Sequence, residues 1–279
     1  MGIGTVSCMS AIAPYDRDAL RRSFRSARPF PFLAMDDFFS RGIADAAAES
    51  FLPYDQARLN GHEFRALNEN KKVGIADPAK FPSAITAIAD ALSSRQFMDD
   101  LSYITDIPDL LWDPDFGGGG MHQTGETGWL DVHVDFNFLE TRKWHRRLNV
   151  LIYLNPGWDE SWGGTLELWD RKVKHRVQAF APIHNRCVIF ETSDISYHGV
   201  TAVKCPPGEQ RCSFAAYYYT EAPPAGWQGE KHTTIFRARP DELWKKHFQM
   251  PAASLRGAAI RAKHRVKHGV KTVIYRNEP

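Results

Sequence analysis

Polar and apolar residues alternate along residues 129–138, where the sequence reads WLDVHVDFNF. This period of two predicts a β-strand with one apolar and one polar face. His133 and Asp135 lie two residues apart in this strand, so their side chains point to the same side. An imidazole and a carboxylate placed in this way can bind adjacent positions on one metal ion, and a third ligand must then come from elsewhere in the chain.

Strand-like runs follow one another from about residue 119 onward, and turns rich in Gly and Pro separate them. The eight runs are residues 119–124, 129–138, 148–154, 164–170, 174–180, 186–191, 198–204 and 211–220. This pattern predicts a mainly β fold with flanking helices, whose core is a double-stranded β-helix, or jelly roll. Such a barrel can enclose a small ligand site among its inward-facing side chains.

Helical spacing of apolar residues occurs before the predicted strands. Residues 85–92 and 97–104 place apolar side chains at intervals of three and four, which predicts two amphipathic helices. Residues 52–80 show no clear period. We therefore expect one domain in three parts: an N-terminal helical support region (1–110), the jelly-roll core (111–222) and a C-terminal helical extension (223–279).

Two later strands supply candidates for the rest of a site. His198 begins the seventh predicted strand, 63 residues after Asp135, and is our candidate for the third metal ligand. Two histidines and one carboxylate leave the opposite positions of the metal open, as in non-haem Fe(II) oxygenases. Arg211 and Ser213 share one face of the last strand. A guanidinium beside a hydroxyl inside a barrel is suited to bind a carboxylate through two hydrogen bonds.

These motifs resemble those of a known family. HVD at 133–135, His198 and RCS at 211–213 are similar to the HxD…H…RxS motif of the 2-oxoglutarate-dependent Fe(II) oxygenases. RRLNVLIYLNPGWDESWGGTLELWD at 146–170 resembles their prolyl-4-hydroxylase-like branch. The resemblance implies an enzyme that uses Fe(II), 2-oxoglutarate and O2 to hydroxylate an unactivated C–H bond, with release of succinate and CO2. It also implies roles for five residues: His133, Asp135 and His198 bind iron, and Arg211, assisted by Ser213, binds the distal carboxylate of 2-oxoglutarate.

Further cosubstrate contacts follow from the resemblance by position alone. Gln123 lies ten residues before His133, where relatives often have a tyrosine that contacts 2-oxoglutarate. His122, Asn149 and Tyr153 are further candidates for the same pocket. We therefore expect Gln123, Tyr153 and Asn149 to join Arg211 in binding the cosubstrate.

Two details of the motif qualify the resemblance. Related halogenases have Gly or Ala at the position of Asp135, so the carboxylate here favours hydroxylation. More residues separate His198 from Arg211 than in the collagen and hypoxia-factor hydroxylases, and the turn at 205–210 must accommodate the extra length.

Three other classes of protein were weighed against this interpretation. A Ser-His-Asp hydrolase has no support, because the chain contains no GxSxG motif. A zinc hydrolase could use the same three ligands, but it would give Arg211 no role. A non-catalytic jelly-roll module that binds a ligand is the remaining alternative, although such modules usually lack a metal ligand and none is missing here.

The substrate is less well defined by the sequence. Because no peptide-binding extension is evident, we expect a small or carrier- or glycan-linked metabolite rather than a protein; the alternative is a prolyl hydroxylase acting on a protein or peptide. The basic segment 140–147 follows the proposed iron strand, and it is either a surface for an anionic substrate or a solvated hairpin tip.

A second basic segment lies near the end of the chain. Residues 255–271 contain six Lys or Arg and no acidic residue, in a chain with a net charge of +2. This segment is either the solvated face of a helix or a site for an anionic partner. We expect no nucleic-acid partner.

Composition sets the broad class. The 279 residues are 43% hydrophobic and 24% charged, which is typical of a globular protein. The four cysteines form neither a CxxC pair nor a small-domain disulfide framework, so we expect a cytoplasmic, reducing location. No apolar run approaches the length of a membrane span, so we expect no transmembrane segment.

Overall fold

A computed structural model describes residues 11–250 of the chain. The α-helices in this part are α1 (Arg17–Ser26), α2 (Arg41–Glu49), α3 (Tyr54–Asn60), α4 (Ser83–Ser93) and α5 (Arg95–Thr105). The strands are β1 (Phe32–Met35), β2 (His62–Ala66), β3 (Glu69–Ile75), β4 (Leu111–Trp112), β5 (Gly120–Val134), β6 (Phe138–Leu139), β7 (Trp144–Tyr153), β8 (Leu166–Trp169), β9 (Arg176–Phe180), β10 (Arg186–Glu191), β11 (His198–Val200), β12 (Arg211–Thr220) and β13 (Ile235–Arg237). The basic segment 255–271 lies outside the described residues, so the expectation of an anionic partner stays a prediction.

The strands form one curled antiparallel sheet. Its main path runs β1-β10-β7-β12-β5-β11-β8-β9, and β3 pairs with β5 at the side. Neighbours along the chain are often not neighbours in the sheet, as expected for a jelly roll. The predicted fold class, mainly β with flanking helices around a jelly-roll core, is confirmed.

Strand β5 connects two sides of the curled sheet. Its first part, up to Thr124, pairs with β12, and its last part, from Leu130 to His133, pairs with β11. The segment between them is irregular: a Cβ atom added to Gly128 would lie 2.5 Å from Cγ2 of Thr124 and 2.9 Å from the carbonyl oxygen of Asn70. The strand predicted at 119–124 and the first part of that predicted at 129–138 are therefore one strand with a bulge in the middle, which ends at Val134.

The alternation of side chains in β7 separates the main core from a cavity. Leu148, Val150 and Ile152 are fully buried in the main apolar core. Asn149 and Leu151, which lie between them in sequence, line the cavity on the opposite face of the sheet. Helices α4 and α5 supply the facing side of the core, as their spacing predicted. Their core residues are Ile85, Ile88, Ala89, Leu92, Phe97, Leu101 and Ile104.

The N-terminal third contains more than helices. Strands β2 and β3 form a hairpin, and β3 pairs with β5 over both of its halves. Because residues 52–80 have no clear period, the sequence did not predict this hairpin. It places Lys72 directly opposite Thr124, so this region contributes a side chain to the cavity as well as support.

The chain divides into two compact units, Met1–Phe236 and Arg237–Pro279. The first unit contains every candidate site residue. In the described part of the second unit, the aromatic rings of Trp244 and Phe248 stack with centroids 4.2 Å apart. The predicted three-part division stays a prediction. Within residues 11–250, no helix combines the length and the apolar character needed to cross a membrane.

Candidate metal centre and cosubstrate cavity

Strands β5 and β11 bring three potential metal ligands together. His133 pairs directly with His198 across the two strands, and Asp135 follows two residues after His133. Nε2 of His133 and Nε2 of His198 each lie 3.5 Å from a carboxylate oxygen of Asp135. One ligand atom from each residue lies within 4.8 Å of the other two, a separation that one ion can bridge. The triad therefore fits an iron site with two histidines and one carboxylate.

The backbone fixes the orientation of both imidazole rings. Nδ1 of His133 is 2.8 Å from the carbonyl oxygen of Asp131, and Nδ1 of His198 is 2.9 Å from that of Ser196. A proton on each Nδ1 leaves the lone pair of Nε2 free for a metal. Burial lowers the pKa of His198 to about 4, so this ring is neutral near pH 7. Both rings thus direct Nε2 toward the metal site.

A buried cation holds the carboxylate ligand. Burial raises the pKa of Asp135, but its polar neighbours, above all the cation of Arg146, outweigh burial and hold that pKa well below its usual range. Nη2 of Arg146 lies 3.1 Å from Oδ2 of Asp135. The amide of Asn149 links the two groups: Nδ2 donates to Oδ2 of Asp135 at 2.8 Å, and Oδ1 accepts from the guanidinium of Arg146 at 2.7 Å. Asp135 therefore stays ionised and oriented.

Replacing Arg146 with methionine is expected to weaken metal binding by about ten- to a hundredfold, the usual effect of losing a partner of a metal ligand. The reason is that Asp135 loses the cation that orients it. Calorimetric titration with Mn(II) measures the change. Arg142→Met is the matched control, because Arg142 pairs with Asp113 and Asp115 instead. Equal metal affinity in a folded Arg146→Met protein would contradict this role.

The three ligands share a cavity of about 90 Å³ with a second charged group, Arg211. The side chain of Arg211 is buried, and its Nε donates to the carbonyl oxygen of Gly164 at 2.6 Å. Gly164 has a φ of +64°, and a Cβ atom there would lie 2.8 Å from Cδ of Arg211. Only glycine can adopt this positive φ without strain and also leave room for the side chain of Arg211. The turn before β8 thus fixes where the guanidinium lies.

The surroundings of Arg211 suit a carboxylate ligand. The guanidinium lies over the ring of Tyr153, with 4.9 Å from Cζ to the ring centroid. The hydroxyl of Tyr153 is buried and has no hydrogen-bond partner among residues 11–250. Ser213, also buried, lines the same cavity. A buried hydroxyl without a partner costs free energy, and a carboxylate held by the guanidinium would provide an acceptor. The residues present therefore fit the distal end of 2-oxoglutarate.

The structure does not leave the side chains of Asn149 and Gln123 free to bind the cosubstrate. Asn149 lines the cavity, but its amide is engaged by Asp135 and Arg146. Gln123 does not reach the cavity. Its Nε2 donates to the carbonyl oxygen of Leu52 and to the side chain of Gln210. The bulge in β5 breaks the alternation, so His122 and Thr124 line the cavity and Gln123 points away from it. The binding roles of Arg211, Ser213 and Tyr153 stay predictions.

Two cations of this region were not predicted from the sequence. Arg146 was placed in a basic surface loop, but β7 begins at Trp144 and the side chain of Arg146 is buried. It stacks on Tyr217, with 3.5 Å from Cζ to the ring centroid. Lys72 lines the cavity from β3. No local pattern marks either residue: three polar residues in a row, 145–147, interrupt the alternation at Arg146, and residues around Lys72 show no clear period.

A family comparison agrees with this geometry. Residues 119–219 match the model of the 2OG-Fe(II) oxygenase superfamily. This segment contains all three triad residues and Arg211. The matched segment is therefore similar to the 2-oxoglutarate/Fe(II)-dependent oxygenases, and the predicted dioxygenase class, with Fe(II), 2-oxoglutarate and O2, is confirmed for this core.

Two relatives of known type resemble part of this chain, and both are prolyl hydroxylases. The prolyl 3-hydroxylase OGFOD1 of Mus musculus is 36% identical over 78 residues, which cover 26% of this chain and 14% of that protein. The prolyl 3-hydroxylase OGFOD1 of Xenopus laevis is 33% identical over 88 residues, which cover 29% of this chain and 17% of that protein. The chain thus matches only a small part of the length of these relatives. The predicted resemblance to the prolyl-hydroxylase-like branch is confirmed.

Solved structures share the fold. A prolyl hydroxylase from Trichoplax adhaerens, in complex with a peptide fragment of the hypoxia inducible factor oxygen degradation domain, has a TM-score of 0.53 and 15% identity, covering 74% of this chain and 91% of that chain. A prolyl 4-hydroxylase from Phytophthora capsici has a TM-score of 0.50 and 20% identity, covering 78% and 72%. At these identities the likeness shows the jelly-roll fold.

The expected preference for a small-molecule substrate over a protein is wrong. The relatives that match are prolyl hydroxylases, and one of the similar structures holds a peptide fragment of a protein. The expectation came from the lack of an evident peptide-binding extension. That reasoning fails because the jelly-roll core itself can present a groove beside the metal strands.

Proposed function

We propose that this chain is a prolyl hydroxylase that acts on a protein or peptide with Fe(II), 2-oxoglutarate and O2. The observation that carries the proposal is the convergence of His133, Asp135 and His198 in one cavity with the buried guanidinium of Arg211. The prolyl 3-hydroxylase relatives support the choice of a prolyl substrate.

Each group in the cavity has a role in this proposal. His133, Asp135 and His198 hold the iron, and Arg211 and Ser213 hold the distal carboxylate of the cosubstrate. The bound iron and 2-oxoglutarate supply the activation of O2 for C–H hydroxylation, with release of succinate and CO2. Apolar side chains of Leu151, Leu166 and Val200 line the cavity and limit the access of water.

A second, larger groove supports a polypeptide substrate. It has a volume of about 640 Å³ and adjoins both ligand strands: Asn137 follows Asp135 by two residues, and Ile195 precedes His198 by three. Arg146, which pairs with Asp135, lines the same groove. Its lining residues are Ala27, Arg28, Pro29, Phe30, Pro31, Asn137, His145, Arg146, Arg171, Glu191, Thr192, Ser193, Asp194, Ile195, Pro224, Ala225, Gly226 and Trp227. Both charges and aromatic rings are present, which suits a peptide more than a small apolar ligand.

The decisive experiment uses the anaerobically Fe(II)-loaded protein, 2-oxoglutarate and a library of synthetic proline-containing peptides, followed by admission of air. We expect the gain of one oxygen atom on a proline, detected by mass spectrometry, together with peptide-dependent release of succinate. The His198→Ala protein serves as the control for both signals. Succinate release that responds to small metabolites but to no peptide would overturn the proposal.

A substitution of Trp227 tests whether the peptide binds in this groove. Its ring packs edge-on against His145, with centroids 4.5 Å apart, at the wall of the groove. Trp227→Ala is expected to raise the KM for the best peptide of the library by about tenfold, since aromatic anchors commonly contribute more than 1 kcal/mol to an interface. The KM for 2-oxoglutarate should not change.

Trp244→Ala is the matched control for this variant, because Trp244 is an exposed tryptophan that does not line the groove. Equal KM values for the peptide in the Trp227→Ala and wild-type proteins would place the peptide elsewhere.

The proposed location is the cytoplasm. Cys187, Cys205 and Cys212 are buried free thiols, which suits a reducing compartment.

A further inference from the structure

Lys72 is a charged group in the active-site cavity to which the oxygenase motif gives no role. It lies on β3, outside the segment that matches the family, and it lines the cavity together with the metal ligands and Arg211. Only 19% of its side chain is exposed. An ammonium in such a place is costly unless an anion pairs with it.

The protein alone pairs this ammonium poorly. Nζ of Lys72 lies 3.9 Å from a carboxylate oxygen of Glu69, which is beyond hydrogen-bond distance, and 4.9 Å from the ring centroid of Phe64. Burial lowers the pKa of Lys72; the charges of Glu69 and Asp135 oppose this shift, and that of Arg211 adds to it. Two cations thus face one cavity, an arrangement that an incoming anion stabilises.

The register of the sheet places Lys72 at the Arg211 end of the cavity. Lys72 pairs directly with Thr124 across β3 and β5, and Thr124 pairs directly with Arg211 across β5 and β12. Side chains in one such row lie on the same face of a sheet, and all three residues line the cavity. Two strand spacings separate Lys72 from Arg211, or about 10 Å between Cα atoms. Two long side chains can meet on one carboxylate across that distance.

We infer that Lys72 is a second cation for the distal carboxylate of 2-oxoglutarate, which it binds opposite Arg211, with Thr124 between them. The inference rests on the proposed use of this cosubstrate. It explains why a buried lysine lies in this row: the dianionic cosubstrate brings two carboxylates, and the metal accounts for only one of them. Lys72 and Arg211 together then favour a 2-oxo acid that carries a second carboxylate.

The test measures binding directly, without turnover. 2-Oxoglutarate and 2-oxopentanoate are titrated into Mn(II)-loaded protein by calorimetry; the second compound has a methyl group where the first has its distal carboxylate. In Lys72→Met we expect the affinity for 2-oxoglutarate to fall by about ten- to a hundredfold, the range for a lost hydrogen bond between charged groups. The affinity for 2-oxopentanoate should stay as in the wild type.

Two further variants separate charge from structure. Lys72→Arg keeps the cation and should restore part of the affinity for 2-oxoglutarate. Lys71→Met changes the neighbouring lysine, whose Nζ donates to the carbonyl oxygen of Glu126, and should leave both affinities unchanged.

Other outcomes overturn the inference. Equal affinity for 2-oxoglutarate in Lys72→Met and wild type removes Lys72 from the cosubstrate site. An equal loss of affinity for both keto acids would place the effect of the substitution at the metal-binding end of the cavity or in the fold. Failure of the peptide experiment would leave the inference intact, since the wild-type protein would still bind 2-oxoglutarate more tightly than the Lys72→Met protein.

Discussion

Replacing Asp135 with alanine is expected to abolish iron binding and turnover of 2-oxoglutarate. The loss should exceed the roughly hundredfold effect of removing a partner of a metal ligand, because the ligand itself is removed. Anaerobic titration with Fe(II) measures the first effect, and succinate release measures the second. Asp55→Ala is the control, because the Asp55 carboxylate is 88% exposed and its one ion pair within residues 11–250 is with Arg58 on its own helix.

This variant also has a structural cost. Asp135→Ala leaves Arg146 without its carboxylate in a buried position, and an unpaired buried charge commonly destabilises a protein by about 3–5 kcal/mol. His198→Ala separates the two effects, because the ring of His198 packs on Phe190 and carries no charge to be compensated. His198→Ala should remain folded by circular dichroism and yet release no succinate. Succinate release at the wild-type rate from either variant would refute the ligand assignment.

Arg211→Met is expected to weaken binding of 2-oxoglutarate by about a hundredfold, in the range found when one partner of a buried charge pair is truncated. Methionine keeps an unbranched side chain of similar length, so the cavity wall should change little. Calorimetric titration of Mn(II)-loaded protein gives the dissociation constant, and succinate release at varied 2-oxoglutarate gives the KM.

Arg186→Met is the matched control for this variant, since Arg186 pairs with Asp36 and does not line the cavity. Metal affinity should be unchanged in both proteins. An unchanged dissociation constant for 2-oxoglutarate in Arg211→Met would move the anchor of the cosubstrate to another residue.

The parts of the site that depend on regular strands were predictable from the sequence. The alternation around His133 and Asp135 places both side chains on one face, and the structure brings His198 directly opposite His133. Arg211 and Ser213 line one cavity for the same reason, since residues two apart in a strand share a face. In these stretches local periodicity is enough, because β12 is regular around Arg211 and Ser213 and because Asp135 directly follows the end of β5 and stays on the side of His133.

The predictions for Gln123 and Arg146 failed because the strands that carry these residues are irregular. Counting ten residues back from His133 to Gln123 crosses the bulge between Thr124 and Trp129, where the pairing with β3 shifts register. A one-residue change in register moves a side chain to the opposite face, so the count selected a residue that points away from the cavity. Arg146 was missed for a related reason, because the register of β12 with β7 shifts next to it.

The position of Lys72 could not be predicted from the sequence for a different reason. Nothing in residues 62–75 alternates clearly, and the position of Lys72 depends on pairing with a strand about fifty residues later. Such long-range pairing is decided by the completed sheet and not by the local sequence. The substrate class had no local signal either, since the groove of about 640 Å³ is assembled from distant segments of the chain.

The hydrogen bonds from the two imidazole rings to the carbonyls of Asp131 and Ser196 have a consequence for how the protein acquires iron. Each ring is held by the backbone two residues before it, so the coordination geometry is preorganised by the strands themselves. Loading then requires no folding transition, and the occupancy of the protein should follow the free ferrous concentration as a simple reversible equilibrium. Chelation followed by re-addition of the ion should therefore return full activity without a refolding step.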